Sequence, residues 1–230
     1  MKKLFLIANW KSHKTVSEAH TFMISLLNEE LITWLHAHAR NEKTTKQVVI
    51  CPPFTLLPEL EKLLSQHPTV PIKLGAQDVS PFEEGPFTGE EAASQIAQFA
   101  QFVIVGHSER RQDFGETDEI VAQKVQAARK YSLEPIVCVQ GKETPIPDNV
   151  HIVAYEPLDA IGTGNAALPE VAEETALYFK HKYHVPYVLY GGSVTPENVK
   201  SYTTQPAIDG VLVGGASLDP EQFSLIIQRA

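Results

Sequence analysis

Glu156 closes an apolar run, His151–Tyr155, and is followed at once by Pro157 and by the glycine-rich stretch Ile161-Gly162-Thr163-Gly164. A carboxylate beside a segment able to close over it suits chemistry from which water must be excluded, such as proton abstraction. A lone glutamate more often merely solvates a strand end, so the weight lies in repetition. Other strand-like runs exit into Asn9 and Lys11, Gln77, His107 and Glu109, Ser193, and Gly214 with Gly215. Histidine, asparagine and lysine stabilise negative charge that develops on an oxygen. Glycine backbones at a helix start can approach a phosphate closely. Singly, Lys11 reads as a surface lysine, His107 as a helix-start histidine and the glycines as tight turns. Their joint appearance at the ends of different strands points to one site.

The elements that must position these residues follow from periodicity. Short Val/Ile/Leu-rich runs mark strands at Leu4–Ala8, Gln47–Cys51, Ile72–Ala76, Phe102–Gly106, Pro135–Val139, His151–Tyr155, Tyr187–Tyr190 and Gly210–Val213. Helical patterns lie at Val16–Ala39, Leu56–Ser65, Glu90–Phe99, Thr117–Tyr131, Pro169–Tyr183, Pro196–Tyr202 and Pro220–Gln228, with a further short helix over the segment that His107 opens. Eight continuously apolar strands alternating with helices indicate a parallel sheet closed into a (β/α)8 barrel, whose active site is built from loops at the carboxyl ends of the strands. A doubly wound open sheet is the alternative. It leads one to expect GxGxxG after the first strand, which here exits into Asn9-Trp10-Lys11. Between Val139 and Val150 stand only ten residues, QGKETPIPDN, so the fifth helix is expected to be absent, with Ile146 and its flanking prolines folding over part of the gap.

The chain has 230 residues, 43% of them hydrophobic, and reads as a single domain, 1–230. No apolar run approaches the roughly 18 residues of a membrane span, and MKKLFLIANWK reads as a first strand, so a soluble protein without a signal peptide is expected. Cys51 and Cys138 lie in separate apolar runs without a CxxC or Cys/His cluster. They are expected to be free, buried thiols of a reducing, cytoplasmic compartment, with no disulfide and no metal. A net charge of −9 without a basic cluster argues against nucleic acid or an anionic membrane as partner.

NWK at 9–11, CPPF at 51–54, GAQD at 75–78, GPFTGE at 85–90, GHSERR at 106–111, AYEP with IGTG across 154–164, YGGSV at 190–194 and LVGGASL at 212–218 together resemble the triosephosphate isomerase family, in order and along nearly the whole chain. The resemblance implies interconversion of dihydroxyacetone phosphate and glyceraldehyde 3-phosphate through an enediolate, without metal or organic cofactor. It implies Glu156 as the base, His107 and Asn9 as hydrogen-bond donors to the enediolate oxygens, and Lys11 as a fixed positive charge near oxyanion and phosphate. A neutral imidazole as donor and closure of the loop over the base are established for that family, which here would be loop 157–167. Backbone N–H groups at Gly162, Ser193, Gly214 and Gly215 would hold the phosphate, and Glu109 would support Lys11. Gln77 and Arg110 read equally well as structural.

The chain departs from the family at Leu158-Asp159, where Val-Trp is usual, and at Val139-Gln140-Gly141, where the pattern Cys-x-Gly-Glu is usual. The long segment 77–90 resembles the third loop that in the family reaches into a neighbouring subunit, with Thr88 at its tip, so a homodimer is expected. Two other readings stand beside the isomerase. Another phosphosugar barrel enzyme, such as a synthase of aromatic amino-acid biosynthesis, would need different inward residues at Asn9, Lys11 and His107. A non-catalytic phosphosugar-binding barrel fits the altered loop but not an intact Lys11, His107 and Glu156.

Overall fold

The computed structural model describes residues 2–39, 44–158 and 166–230. Eight strands, β1 (Lys2–Asn9), β2 (Thr44–Cys51), β3 (Ile72–Ala76), β4 (Phe102–Val105), β5 (Glu134–Val139), β6 (Ile152–Tyr155), β7 (Tyr187–Tyr190) and β8 (Gly210–Val213), pair in sequence order as a closed parallel barrel. Closure is made by β8 lying beside β1, with Ile7 opposite Leu212. Nine helices are seen among the described residues: α1 (Val16–Leu26), α2 (Glu29–Ala39), α3 (Leu57–Ser65), α4 (Ala93–Ile96), α5 (Ser108–Asp113), α6 (Asp118–Lys130), α7 (Pro169–Tyr183), α8 (Val199–Thr203) and α9 (Pro220–Arg229).

The uniform apolarity of the strands has a simple cause. Alternate side chains enter two concentric cores. Phe5, Ile7, Val49, Cys51, Ile104, Ile136, Cys138, Ile152, Ala154, Leu189 and Leu212 point inward and plug the barrel. Leu6, Ala8, Val48, Ile50, Val103, Val105, Val137, Val139 and Val153 point outward under the helices. Burial of each larger side chain contributes about 1.5–3 kcal/mol, so neither layer is dispensable.

Two helices differ from the sequence expectation. The single helix expected over Val16–Ala39 is broken at Asn28, whose Oδ1 accepts the Leu31 N–H at 2.8 Å while its Nδ2 donates to Ser25 O at 2.9 Å. An asparagine that satisfies both the end of one helix and the start of the next favours two helices over one. The helix expected over Glu90–Phe99 shrinks to the four residues of α4.

Between β5 and β6 the described residues form turns and no helix. Ile146 and Val150 are buried, 8% and 6% exposed, within the outer core. The crossover is pinned by Gln140 N–H on Thr144 Oγ1 (3.2 Å), Thr144 N–H on Gly141 O (3.1 Å) and Tyr178 OH on Lys142 O (3.2 Å). The apolar outer face of these strands is thus covered at Ile146 by the crossover itself.

Candidate active site

Lys11 follows the end of β1 with φ +52°, a left-handed conformation uncommon for a residue with a side chain. It is held there from both sides. Its N–H donates to Asn9 Oδ1 at 3.0 Å, and Gln77 Nε2 donates to Lys11 O at 2.8 Å and to Cys51 O at 2.9 Å. Gln77 therefore braces the backbone of Lys11. The ammonium meets Glu109 Oε1 at 2.5 Å, and Gly214 is so close that a Cβ there would lie 3.3 Å from Lys11 Cε.

His107 caps α5 at the exit of β4 and is buried. Its Nδ1 accepts the Glu109 N–H at 3.3 Å, which requires that nitrogen to be unprotonated, and its Nε2 lies 2.9 Å from Glu156 Oε1. The network therefore assigns a neutral ring with the proton on Nε2. Glu156 follows β6 and is 1% exposed. Its N–H donates to Val139 O at 2.8 Å. Its Oε2 accepts from Ser108 N–H at 2.9 Å and from Gln140 Nε2 at 3.2 Å. With the His107 Nε2–H and the Cys138 thiol added to these donors, the buried carboxylate has the hydrogen bonds that burial demands. Gly191, at the exit of β7, leaves the space for it: a Cβ there would stand 3.0 Å from Glu156 Cγ.

Asn9, Lys11, His107, Glu156, Ser193, Gly214 and Gly215 line one cavity of about 420 Å³ at the carboxyl ends of the strands. Gly214 and Gly215 open a 3-10 turn, Gly215–Leu218. Ser193 is fixed through its carbonyl by Asn198 Nδ2 at 3.0 Å. Glu109 touches Lys11 and is not part of the lining. Gly162 and Asp159, and loop 157–167 over its stretch 159–165, lie outside the described residues.

Asn198, Gln222 and Gln140 are the additions that sequence reasoning missed. The first two line the cavity from the turns before α8 and within α9. In the sequence their amides look like any solvent-facing amide, and no spacing rule singles them out.

Arg110 turns away from the cavity. With Lys124 it binds Asp78 and Glu116: Arg110 Nε to Asp78 Oδ2 at 2.8 Å and to Glu116 Oε2 at 2.9 Å, and Lys124 Nζ to Asp78 Oδ1 at 2.6 Å and to Glu116 Oε1 at 2.9 Å. Burial pushes the Asp78 carboxyl up, and Lys124 and Arg110 pull it back. This network ties the start of the third loop to α5 and α6. Cys138, buried beside Glu156, has its thiol pushed up by burial and by that carboxylate, and Cys51 is raised by burial alone. Both are free and buried, and a raised thiol is a poor nucleophile.

A family model described as triosephosphate isomerase matches residues 4–230. A triosephosphate isomerase of Picosynechococcus sp. (strain ATCC 27264 / PCC 7002 / PR-6) is 39% identical, with 99% of this chain and 99% of that protein covered. One of Nostoc punctiforme is 38% identical, covering 99% and 98%, and one of Dictyoglomus turgidum is 37% identical, covering 99% and 100%.

Proposed function

Because the chain belongs to the triosephosphate isomerase family, we propose that Glu156 is the base with which it interconverts dihydroxyacetone phosphate and D-glyceraldehyde 3-phosphate through an enediolate. The protein is an intramolecular aldose–ketose isomerase. The observation that carries the assignment of roles is the meeting of His107 Nε2 and Glu156 Oε1 at 2.9 Å in a cavity that Lys11 and Asn9 also line.

A substrate carbonyl oxygen entering that cavity takes over the Nε2–H that His107 now gives to Glu156. The exchange frees Oε1 to remove a proton from the adjacent carbon and later to return it to the neighbouring one. Negative charge grows on the two substrate oxygens, where His107 and the Asn9 amide donate and the Lys11 ammonium supplies a fixed charge. Glu109 keeps that ammonium in place. Backbone N–H groups at Ser193, Gly214 and Gly215, with Gly162 from loop 157–167, are our candidates for the phosphate site, and the same loop is the candidate lid. A chain that bound triose phosphates without turnover is the alternative. A coupled assay with glyceraldehyde 3-phosphate decides: turnover is expected, and its absence in folded protein would favour a binding role.

We also read residues 1–230 as one domain that pairs as a homodimer through loop 77–90. Residues 82–90 are exposed, and Phe82 and Phe87 stack there with centroids 4.3 Å apart while 47% and 38% exposed. Such an apolar tip favours burial against a second copy. No helix among the described residues is long and apolar enough to cross a membrane. The two unpaired, buried thiols fit a reducing cytoplasmic setting.

A further inference from the structure

Gln140, the residue immediately after β5, reaches back across the β5–β6 edge to the carboxylate of Glu156. Its Nε2 lies 3.2 Å from Glu156 Oε2 and 3.5 Å from Gly106 O. Oε2 already accepts the Ser108 N–H, whereas Oε1 meets the His107 Nε2 that substrate must claim, and the Cys138 thiol also donates to this carboxylate. The two oxygens therefore differ: one is anchored by donors that bind no substrate, and the other faces the reacting groups. The short crossover does not need this side chain, because it is held by Gln140's own backbone N–H on Thr144 and by Thr144 N–H on Gly141. Chemistry, more than loop structure, accounts for a half-buried amide aimed at a buried carboxylate.

We propose that Gln140 is a positioning residue for the base, its carboxamide anchoring Glu156 Oε2 so that Oε1 stays turned to His107 in the free protein. The inference rests on the reading of Glu156 as the base. Removing a donor from a carboxylate disfavours its charged form, and placing a second carboxylate beside it disfavours that form further. The other titratable groups facing Glu156 are His107 from the β4 exit and the Cys138 thiol from β5. Lys11 shares the cavity from β1 with Glu109 beside it, Arg111 from α5 and Glu116 after it act on Cys138, and at the β7 exit Gly191, which does not titrate, lies against Glu156. None of these is altered by a change at position 140.

The test is a titration of the Glu156 side-chain carbon by NMR in the free protein, assigned by its loss in Glu156→Gln, for the parent, Gln140→Met and Gln140→Glu. The midpoint is expected to move up by about 0.5–1 pH unit in Gln140→Met and further in Gln140→Glu. The acid limb of kcat/KM should follow in the same order, since it reports the free enzyme. Gln140→Glu preserves the shape of the side chain and keeps the test available should Gln140→Met fold poorly. A midpoint unmoved in both variants overturns the inference, whatever happens to thermal stability. A parent without isomerase activity would instead sink the functional reading, while the titration would still decide whether Gln140 holds Glu156.

Discussion

Tyr190 and Tyr202 stack face to face, with ring centroids 4.0 Å apart and planes 8° from parallel, and both phenols end on Ala167. Tyr190 OH accepts the Ala167 N–H at 2.9 Å, and Tyr202 OH donates to the Ala167 carbonyl at 2.5 Å. Ala167 closes the segment that begins after the base, so β7 and α8 jointly fix where that segment re-enters the barrel wall. Tyr202→Phe keeps the stack and removes both the bond to Ala167 O and the hydrogen bond between the two phenols. It should cost about 2 kcal/mol, a fall in Tm of roughly 4–8 °C, and lower kcat/KM more than Tm alone would suggest. Unchanged kinetics would show that the Ala167 carbonyl bond is structural only.

Glu156→Gln should leave circular dichroism intact and reduce kcat by about 10²–10⁴-fold with little change in KM, the range for loss of a positioned base. The amide also places an N–H₂ where the carboxylate accepted only donors, among them His107 Nε2, Gln140 Nε2 and the Ser108 N–H. Activity within a few-fold of the parent would remove Glu156 from the role of base.

Lys11→Met should weaken a phosphate-bearing competitive inhibitor by about 10–100-fold, the value of one charge-assisted hydrogen bond, and lower kcat as well. Glu109 then loses its 2.5 Å partner. Inhibitor affinity equal to that of the parent, measured by calorimetry, would exclude Lys11 from the phosphate site.

Ile146→Asp puts a carboxylate at a position only 8% exposed. An unpaired charge there should drop the Tm by roughly 5 °C or more. A Tm unchanged by this substitution would mean that the crossover does not seal the gap left by the missing helix.

Lys46 donates to Ile227 O and Ala230 O, both at 2.8 Å or less, with its ammonium 4.5 Å from the Trp34 ring centroid, and burial lowers its pKa from 10.5 to about 8. Between about pH 8 and 10.5 the unfolded chain then binds more protons at this residue than the folded one, so this contribution to stability rises with pH across that window. Urea unfolding of the parent and of Lys46→Met at pH 7.5, 8.5 and 9.5 should show the parent gaining on the variant as pH increases. A constant difference would mean that the two carbonyls and the indole offset the burial.

The barrel was legible because its strands are buried on both faces, which leaves continuous apolar runs: β3, β7 and β8 begin and end where those runs do. The residues of the site were legible because each stands at a strand exit. Contacts made across the barrel were not. Nothing in the local pattern tells that Gln77 braces the carbonyl of Lys11, 66 residues away, or that Tyr202 reaches back to Ala167. The break at Asn28 was hidden for a different reason, since apolar spacing runs through it and only the side-chain cap decides. Arg110 carries a charge in a site-like motif, and only the Asp78–Glu116–Lys124 network reveals its allegiance.

The helix-free crossover has a consequence for the order in which the chain assembles. Ile136 pairs with Ile152 and Cys138 with Ala154, sixteen residues apart, the smallest separation among the eight strand pairings, whereas Phe5 must find Gly210 at the far end of the chain. Loop-closure entropy grows with the length closed, and contacts that are local in sequence form first. The β5–β6 pair is therefore the expected kinetic seed of the barrel, and the two residues that flank it, Gln140 and Glu156, are neighbours long before β1 meets β8.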